Sequence, residues 1–126
     1  MMAQLEHINL TVRNAEQTAQ VLVDLFGWHV RWQGPAKDDG FTVHVGTDGT
    51  YLALYTPAWD LNPEARRYHH DASMNHIGVV VDDLDAIEKK VVAAGYAPHS
   101  HDDYEPGVRF YFDGPDGVEY EVVQYD

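Results

Sequence analysis

Gly114-Pro-Asp-Gly-Val-Glu-Tyr-Glu-Val-Val-Gln-Tyr125 reads as a tight turn that launches a final strand. Proline presets φ, and the glycine after aspartate accepts a positive φ, so the turn has a chemical cause. Beyond it the residues alternate. Glu119, Glu121 and Val123 share one face, and Tyr120, Val122 and Gln124 share the other. Glu121 therefore falls in the middle of a strand with a buried character. A charge there is costly unless it is paired or bound to a metal.

Working back from this stretch, the same pattern occurs once before. Gly46-Thr-Asp-Gly49 lies 68 residues ahead of Gly114-Pro-Asp-Gly117, and Phe26-Gly27-Trp28 lies 68 ahead of Ala94-Gly95-Tyr96. His7 and His76 are 69 apart, inside Leu5-Glu-His-Ile-Asn9 and Met74-Asn-His-Ile-Gly78. Three coincidences in register identify an internal repeat.

Each copy reads strand, helix, strand, strand, strand. Residues 5–12 alternate, with Ile8, Leu10 and Val12 facing a helix and His7, Asn9 and Thr11 facing away. Asn14 is placed to cap a helix ending at Phe26, with Ala15, Thr18, Leu22 and Leu25 inward and Gly27 as the stop. A strand over 28–33, a polar loop over 34–40 and a hairpin over 41–56 follow. In the second copy a strand over 74–81 leads to a helix capped by Asp83, with Leu84, Ile87 and Val91 inward and Gly95 as the stop. An extended stretch over 97–101 and a hairpin over 108–125 complete it. The first module covers about 3–57, a connector about 58–73 and the second module about 74–126, within one 126-residue domain. The connector suggests one helical turn after Asn62-Pro63, and solvated positions for His69 and His70.

Composition narrows the function. Eight Lys plus Arg stand against twenty-one Asp plus Glu, a formal charge of −13 that would repel phosphate backbones and anionic membrane surfaces. No apolar run approaches the roughly 20 residues that cross a bilayer. The N-terminal residues lack a signal-peptide pattern, so a cytoplasmic location is expected. There are no cysteines, which excludes disulfides and thiolate ligands. Phosphate-cradling glycine loops and Gly-x-Ser-x-Gly elbows are also absent.

Two βαβββ modules, the paired histidines and Gly114-Pro-Asp-Gly-Val-Glu-Tyr-Glu-Val122 together resemble the vicinal oxygen chelate superfamily. That group includes glyoxalase I, extradiol dioxygenases, fosfomycin resistance proteins and bleomycin resistance proteins. The resemblance implies an α+β fold in which two modules form a curved mixed β-sheet with flanking helices around a cleft. It also implies a homodimer. By position, the superfamily's metal ligands fall on His7, Ala53, His76 and Glu121. Alanine cannot bind a metal, so the chain departs from a four-ligand glyoxalase site and keeps two histidines and one carboxylate, as in the extradiol dioxygenases.

Two imidazoles and a carboxylate suit Fe(II), Mn(II), Ni(II) or Zn(II) and leave positions for a substrate chelated through vicinal oxygens. The expected activity is that of a lyase, isomerase or extradiol-type dioxygenase on a small molecule. Tyr111, with Glu121, is the candidate catalytic group, able to donate to a substrate oxyanion. Arg109, Tyr51, Tyr55, His99 and His101 are the candidate substrate-binding residues, with Trp28, Trp32 and Trp59 as further aromatic surface. The alternative is a metal-free pocket that sequesters a drug, as the bleomycin resistance proteins do.

Overall fold

The computed structural model describes residues 2–62, 68, 71–104 and 106–125. The helical turn expected after Asn62-Pro63, and His69 and His70, lie outside the described residues. The chain divides into two compact units, Met1–Asn62 and Pro63–Asp126.

The first unit runs β1 (His7–Thr11), α1 (Ala15–Phe26), β2 (His29–Pro35), β3 (Phe41–Gly46) and β4 (Tyr51–Thr56). Its sheet has the order β1-β4-β3-β2. The β1–β4 pair is parallel and the other two are antiparallel. The second unit repeats this as β5 (Ile77–Val80), α2 (Leu84–Ala93), β6 (His99–Tyr104), β7 (Gly107–Asp113) and β8 (Glu119–Tyr125), with the order β5-β8-β7-β6. These two four-stranded mixed sheets, each with a helix, make the α+β architecture expected from the repeat.

Local chemistry sets the helix ends. The Asn14 side chain accepts from the Gln17 N–H at 3.0 Å, and Gly27 follows α1 in the left-handed conformation at φ 71°. Asp83 accepts from the Ala86 N–H at 3.1 Å, and Gly95, at φ 94°, follows α2. The turn before β8 places Asp116 at φ 61° and Gly117 at φ 71°. Aspartate is among the few non-glycine residues that tolerate this region.

Alternation then sorts the side chains. In the first unit Val43, Val45, Leu52 and Leu54 meet Ala15, Ala19, Leu22 and Leu25 of α1 in a core closed to solvent. In the second unit Phe110, Phe112, Tyr120 and Val122 are fully buried, with Leu84 and Val91 of α2 over them. Odd-numbered residues of β7 and β8, including Arg109, Tyr111, Glu119 and Glu121, take the opposite face.

The structure departs from the sequence reading in several places: the strand expected over 74–81 starts only at Ile77, so His76 precedes it, and Ile87 is half-buried rather than inward. Ile8 is 43% exposed rather than inward, because β1 is an edge strand and α1 packs on β2, β3 and β4. β2 continues through Gly34 and Pro35 into the expected loop, with Pro35 opposite Phe41 at the end of an edge strand, where a missing N–H is tolerated. β6 continues to Tyr104, and its pairing with β7 is interrupted by a bulge between His99 and Asp102.

Asn14→Ala and Asp83→Ala are each expected to cost about 1 kcal/mol, read as equal shifts in a urea midpoint. A loss at only one position would show that the two caps do not contribute equally.

Candidate functional site

The second unit gathers the residues that carry chemistry. Gly78 of β5, Glu121 of β8 and Tyr111 of β7 stand in one cross-strand row. His76 sits one residue ahead of β5, and its Nε2 lies 3.2 Å from Glu121 Oε1. A Cβ at Gly78 would make only ordinary van der Waals contact with Glu121 Oε1, at 4.0 Å. The Tyr111 ring meets the His76 ring edge-on at 5.5 Å.

The other carboxylate oxygen is also held. Arg109 Nη1 donates to Glu121 Oε2 at 2.9 Å, and Arg109 Nη2 donates to the Gly107 carbonyl at 3.4 Å. The Arg109 side chain is 9% exposed and that of Glu121 14%. The cost of the mid-strand charge is thus offset by a buried guanidinium. Arg109 engages Glu121 here rather than standing apart as a carboxylate clamp.

These atoms fit a metal ion at one edge. Two ligands about 2.1 Å from a metal are about 3.0 Å apart at a right angle and about 3.4 Å apart at a tetrahedral angle. The 3.2 Å between His76 Nε2 and Glu121 Oε1 falls between these values. Arg109 competes for the carboxylate's charge but uses the other oxygen, which leaves Oε1 directed at His76.

The first unit presents an imidazole and aromatic surface instead. His7 stacks on Tyr51 at 5.0 Å, His44 stacks on the same ring at 4.6 Å, and Trp32 tilts against His44 at 5.3 Å. The Arg31 guanidinium lies 4.3 Å from the Tyr51 ring centroid. His7 Nδ1 is 2.9 Å from Glu6 Oε1, and this contact holds the Glu6 carboxyl below its usual range. Burial pushes the His44 imidazole below its ordinary value, with His7 and Arg31 adding to the effect. Desolvation, then the Glu6 carboxylate, raises the Tyr51 phenol.

The register confirms that Ala53 occupies the place of Glu121. Asn9 pairs with Ala53 as Gly78 pairs with Glu121, and His44 is opposite Ala53 as Tyr111 is opposite Glu121. His44 was not among the expected site residues. Its position 67 residues before Tyr111, close to the repeat offset, is the signal that marks it. A cavity of about 360 Å³ is lined here by Asn9, Ala36, Lys37, Thr42, His44 and Tyr55.

The remaining candidates are dispersed. The Tyr55 hydroxyl donates to the Lys37 carbonyl at 2.9 Å, at the edge of this cavity. His99 stacks on Tyr111 at 6.2 Å and so shares the Glu121 face. His101 lies on the helix side, 3.0 Å from Glu88 of α2 and stacked on Phe110. The bulge in β6, with Ser100 at φ 56°, separates two histidines that simple alternation would place together. Trp28 packs on Phe26, and Trp59 lines a different cavity with Arg13 and Asp60.

A family model described as the Glyoxalase/Bleomycin resistance protein/Dioxygenase superfamily matches residues 4–122. No curated protein matches the sequence significantly. Among solved structures, a glyoxylase/bleomycin resistance protein/dioxygenase domain from Frankia sp. EAN1pec is similar at TM-score 0.82 and 17% identity, over 100% of both chains. A mutant of the fosfomycin resistance protein FosX from Listeria monocytogenes, complexed with Mn(II) and 1S,2S-dihydroxypropylphosphonic acid, is similar at TM-score 0.75 and 19% identity. That match covers 98% of this chain and 93% of the other. TnmS3, an antibiotic binding protein from Streptomyces sp. CB03234, is similar at TM-score 0.73 and 18% identity, over 99% of this chain and 98% of that one. At these identities the likeness is one of fold.

Two measurements check the electrostatics. Arg109→Met should destabilise the protein by about 3 kcal/mol, because it leaves Glu121 Oε2 without its buried guanidinium. Arg109→Met combined with Glu121→Gln should recover part of that loss; additive losses would show that the pair is not coupled. The His44 imidazole should titrate by NMR below its ordinary value. Its folded pKa is lowered, so the unfolded chain binds more protons. The stability this group contributes is present above the unfolded pKa of about 6.5 and is lost as pH falls through the folded value. A His44 titration at or above the ordinary value would contradict the assignment.

Proposed function

Because the chain belongs to the Glyoxalase/Bleomycin resistance protein/Dioxygenase superfamily, also called the vicinal oxygen chelate superfamily, we propose that it is a metal-dependent enzyme. Its substrate would be a small molecule chelated through vicinal oxygens. The observation that carries this reading is the 3.2 Å approach of His76 Nε2 to Glu121 Oε1. His76 and Glu121 would hold the ion, and His7 on β1 is the third ligand of the proposal. Fe(II), Mn(II), Ni(II) and Zn(II) are the ions this donor set suits. An ion held there would supply Lewis-acid polarisation of two adjacent substrate oxygens.

The chain's own residues have separate tasks in this reading. Arg109 fixes one oxygen of Glu121, so the other keeps a single direction. Tyr111 is beside His76, and its phenol would donate to a developing substrate oxyanion. The reaction class is a lyase, isomerase or ring-cleaving dioxygenase. The accompanying assembly is a homodimer in the cytoplasm.

One observation favours a second reading, that of a metal-free binding protein. The Arg109–Glu121 pair already offsets the carboxylate's charge without an ion. TnmS3 is an antibiotic binding protein with a similar fold.

Titration with Mn(II) separates the readings. The enzyme reading expects paramagnetic broadening of the Gly78 and Val79 amide signals, shifted to at least about tenfold higher Mn(II) in His76→Ala with the far-ultraviolet spectrum unchanged. His7→Ala should weaken binding at the same signals. Broadening absent there in the native protein, or unchanged in its Mn(II) midpoint in His76→Ala, overturns the ligand assignment. Oxygen uptake with a panel of catechols then distinguishes a dioxygenase from an isomerase or lyase.

A further inference from the structure

We propose that His99, Asp113 and Glu119 form a second divalent-cation site, separate from His76 and Glu121 and contained within the second unit. One ligand atom from each of the three residues lies within 4.8 Å of the other two. No residue is shared with the His76 and Glu121 pair. The Tyr111 ring contacts both histidines, edge-on at 5.5 Å to His76 and stacked at 6.2 Å on His99.

The backbone produces the cluster. Asp113 and Glu119 are the residues on either side of the Gly114–Val118 turn, and they sit directly opposite each other on β7 and β8. Two like charges at directly opposed positions destabilise a sheet. Glu119 is 9% exposed, so its charge is poorly screened by water. A cation between these carboxylates would be attracted by both.

His99 supplies the nitrogen ligand. Its Nδ1 is 2.9 Å from Ser100 Oγ, and in the tautomer that donates there the Nε2 carries the lone pair. That Nε2 is shut off from solvent, has no hydrogen-bond partner among the described residues, and lies 3.9 Å from Asp113 Oδ1. An acceptor turned toward two further acceptors is satisfied by a metal ion. The bulge that aims the ring keeps Ser100 at φ 56°, a conformation that is strained outside glycine.

Two neighbours hold the other ligands in place. The Tyr68 hydroxyl donates to Glu119 Oε1, and the Tyr111 ring supports His99. Ligands about 2.1 Å from an ion are at most about 4.2 Å apart, so the cluster must contract slightly. Asp113, whose side chain is 55% exposed, has the room to turn inward. One imidazole and two carboxylates suit Mn(II), Zn(II) or Fe(II). Such an ion would tie the bulged β6 to β7 and β8.

Mn(II) titration of the His76→Ala protein, followed by NMR, tests the site without interference from the other one. The expected result is broadening of the His99 ring signals and the Asp113 and Glu119 amides. Asp113→Asn should weaken this by more than about tenfold and His99→Ala should abolish it. Because the ion would bind only the folded chain, Zn(II) should also raise the melting temperature of His76→Ala but not of His76→Ala with His99→Ala. If His76→Ala does not fold, Glu121→Gln, which keeps an oxygen for Arg109, takes its place in the same titration. No broadening at His99 and Asp113 at saturating Mn(II), or broadening unchanged by Asp113→Asn, overturns the proposal.

Discussion

Strict alternation along a strand is the constraint on which both halves of this molecule depend. On β4 and β8 every second residue is committed to a helix-covered core, and its neighbours are committed to the opposite face. Tyr120 and Val122 are fully buried against the α2 side, so Glu119, Glu121 and Val123 have no choice of face. A one-residue slip would bring Glu121 into contact with Phe110 and Phe112. The core therefore enforces the position of the charge.

Given that position, the charge has to be met. Arg109 on the adjacent strand meets one oxygen of Glu121 and His76 approaches the other. The same alternation places Asp113 opposite Glu119, where a histidine and a tyrosine hydroxyl gather around the two acids. The face thus carries a single acid, Glu121, and a pair, Asp113 and Glu119, with only Tyr120 between Glu119 and Glu121 on β8. In a chain with a formal charge of −13, this concentration of carboxylates on one sheet face is a coherent basis for cation chemistry.

The repeat shows how one scaffold supports two surfaces. The unit that keeps Glu121 has Arg109 and Tyr111 around it. The unit that has Ala53 in its place has no such charge to offset, and its face is built from His7, His44, Tyr51 and Trp32 in ring contact. Replacing a carboxylate with a methyl group removes the need for a guanidinium and leaves room for stacked rings. The divergence lies in a few side chains on a backbone register that stays the same in both halves.

The order of elements, both helix caps, the buried faces of α1 and β8 and the equivalence of Ala53 with Glu121 were determined by the sequence alone. All of these depend on local rules: a cap three residues from its partner, a period of two, a glycine after a helix, and an offset of 68 between the copies. The tertiary structure decided what no period carries. A bulge at Ser100 sent His101 to α2 and kept His99 beside Tyr111, because one strained residue resets the alternation that follows it. Arg109 became the partner of Glu121 through strand pairing, which sets cross-strand neighbours that residue spacing does not reveal. His44 entered the site for the same reason, as the residue that β3 brings opposite Ala53.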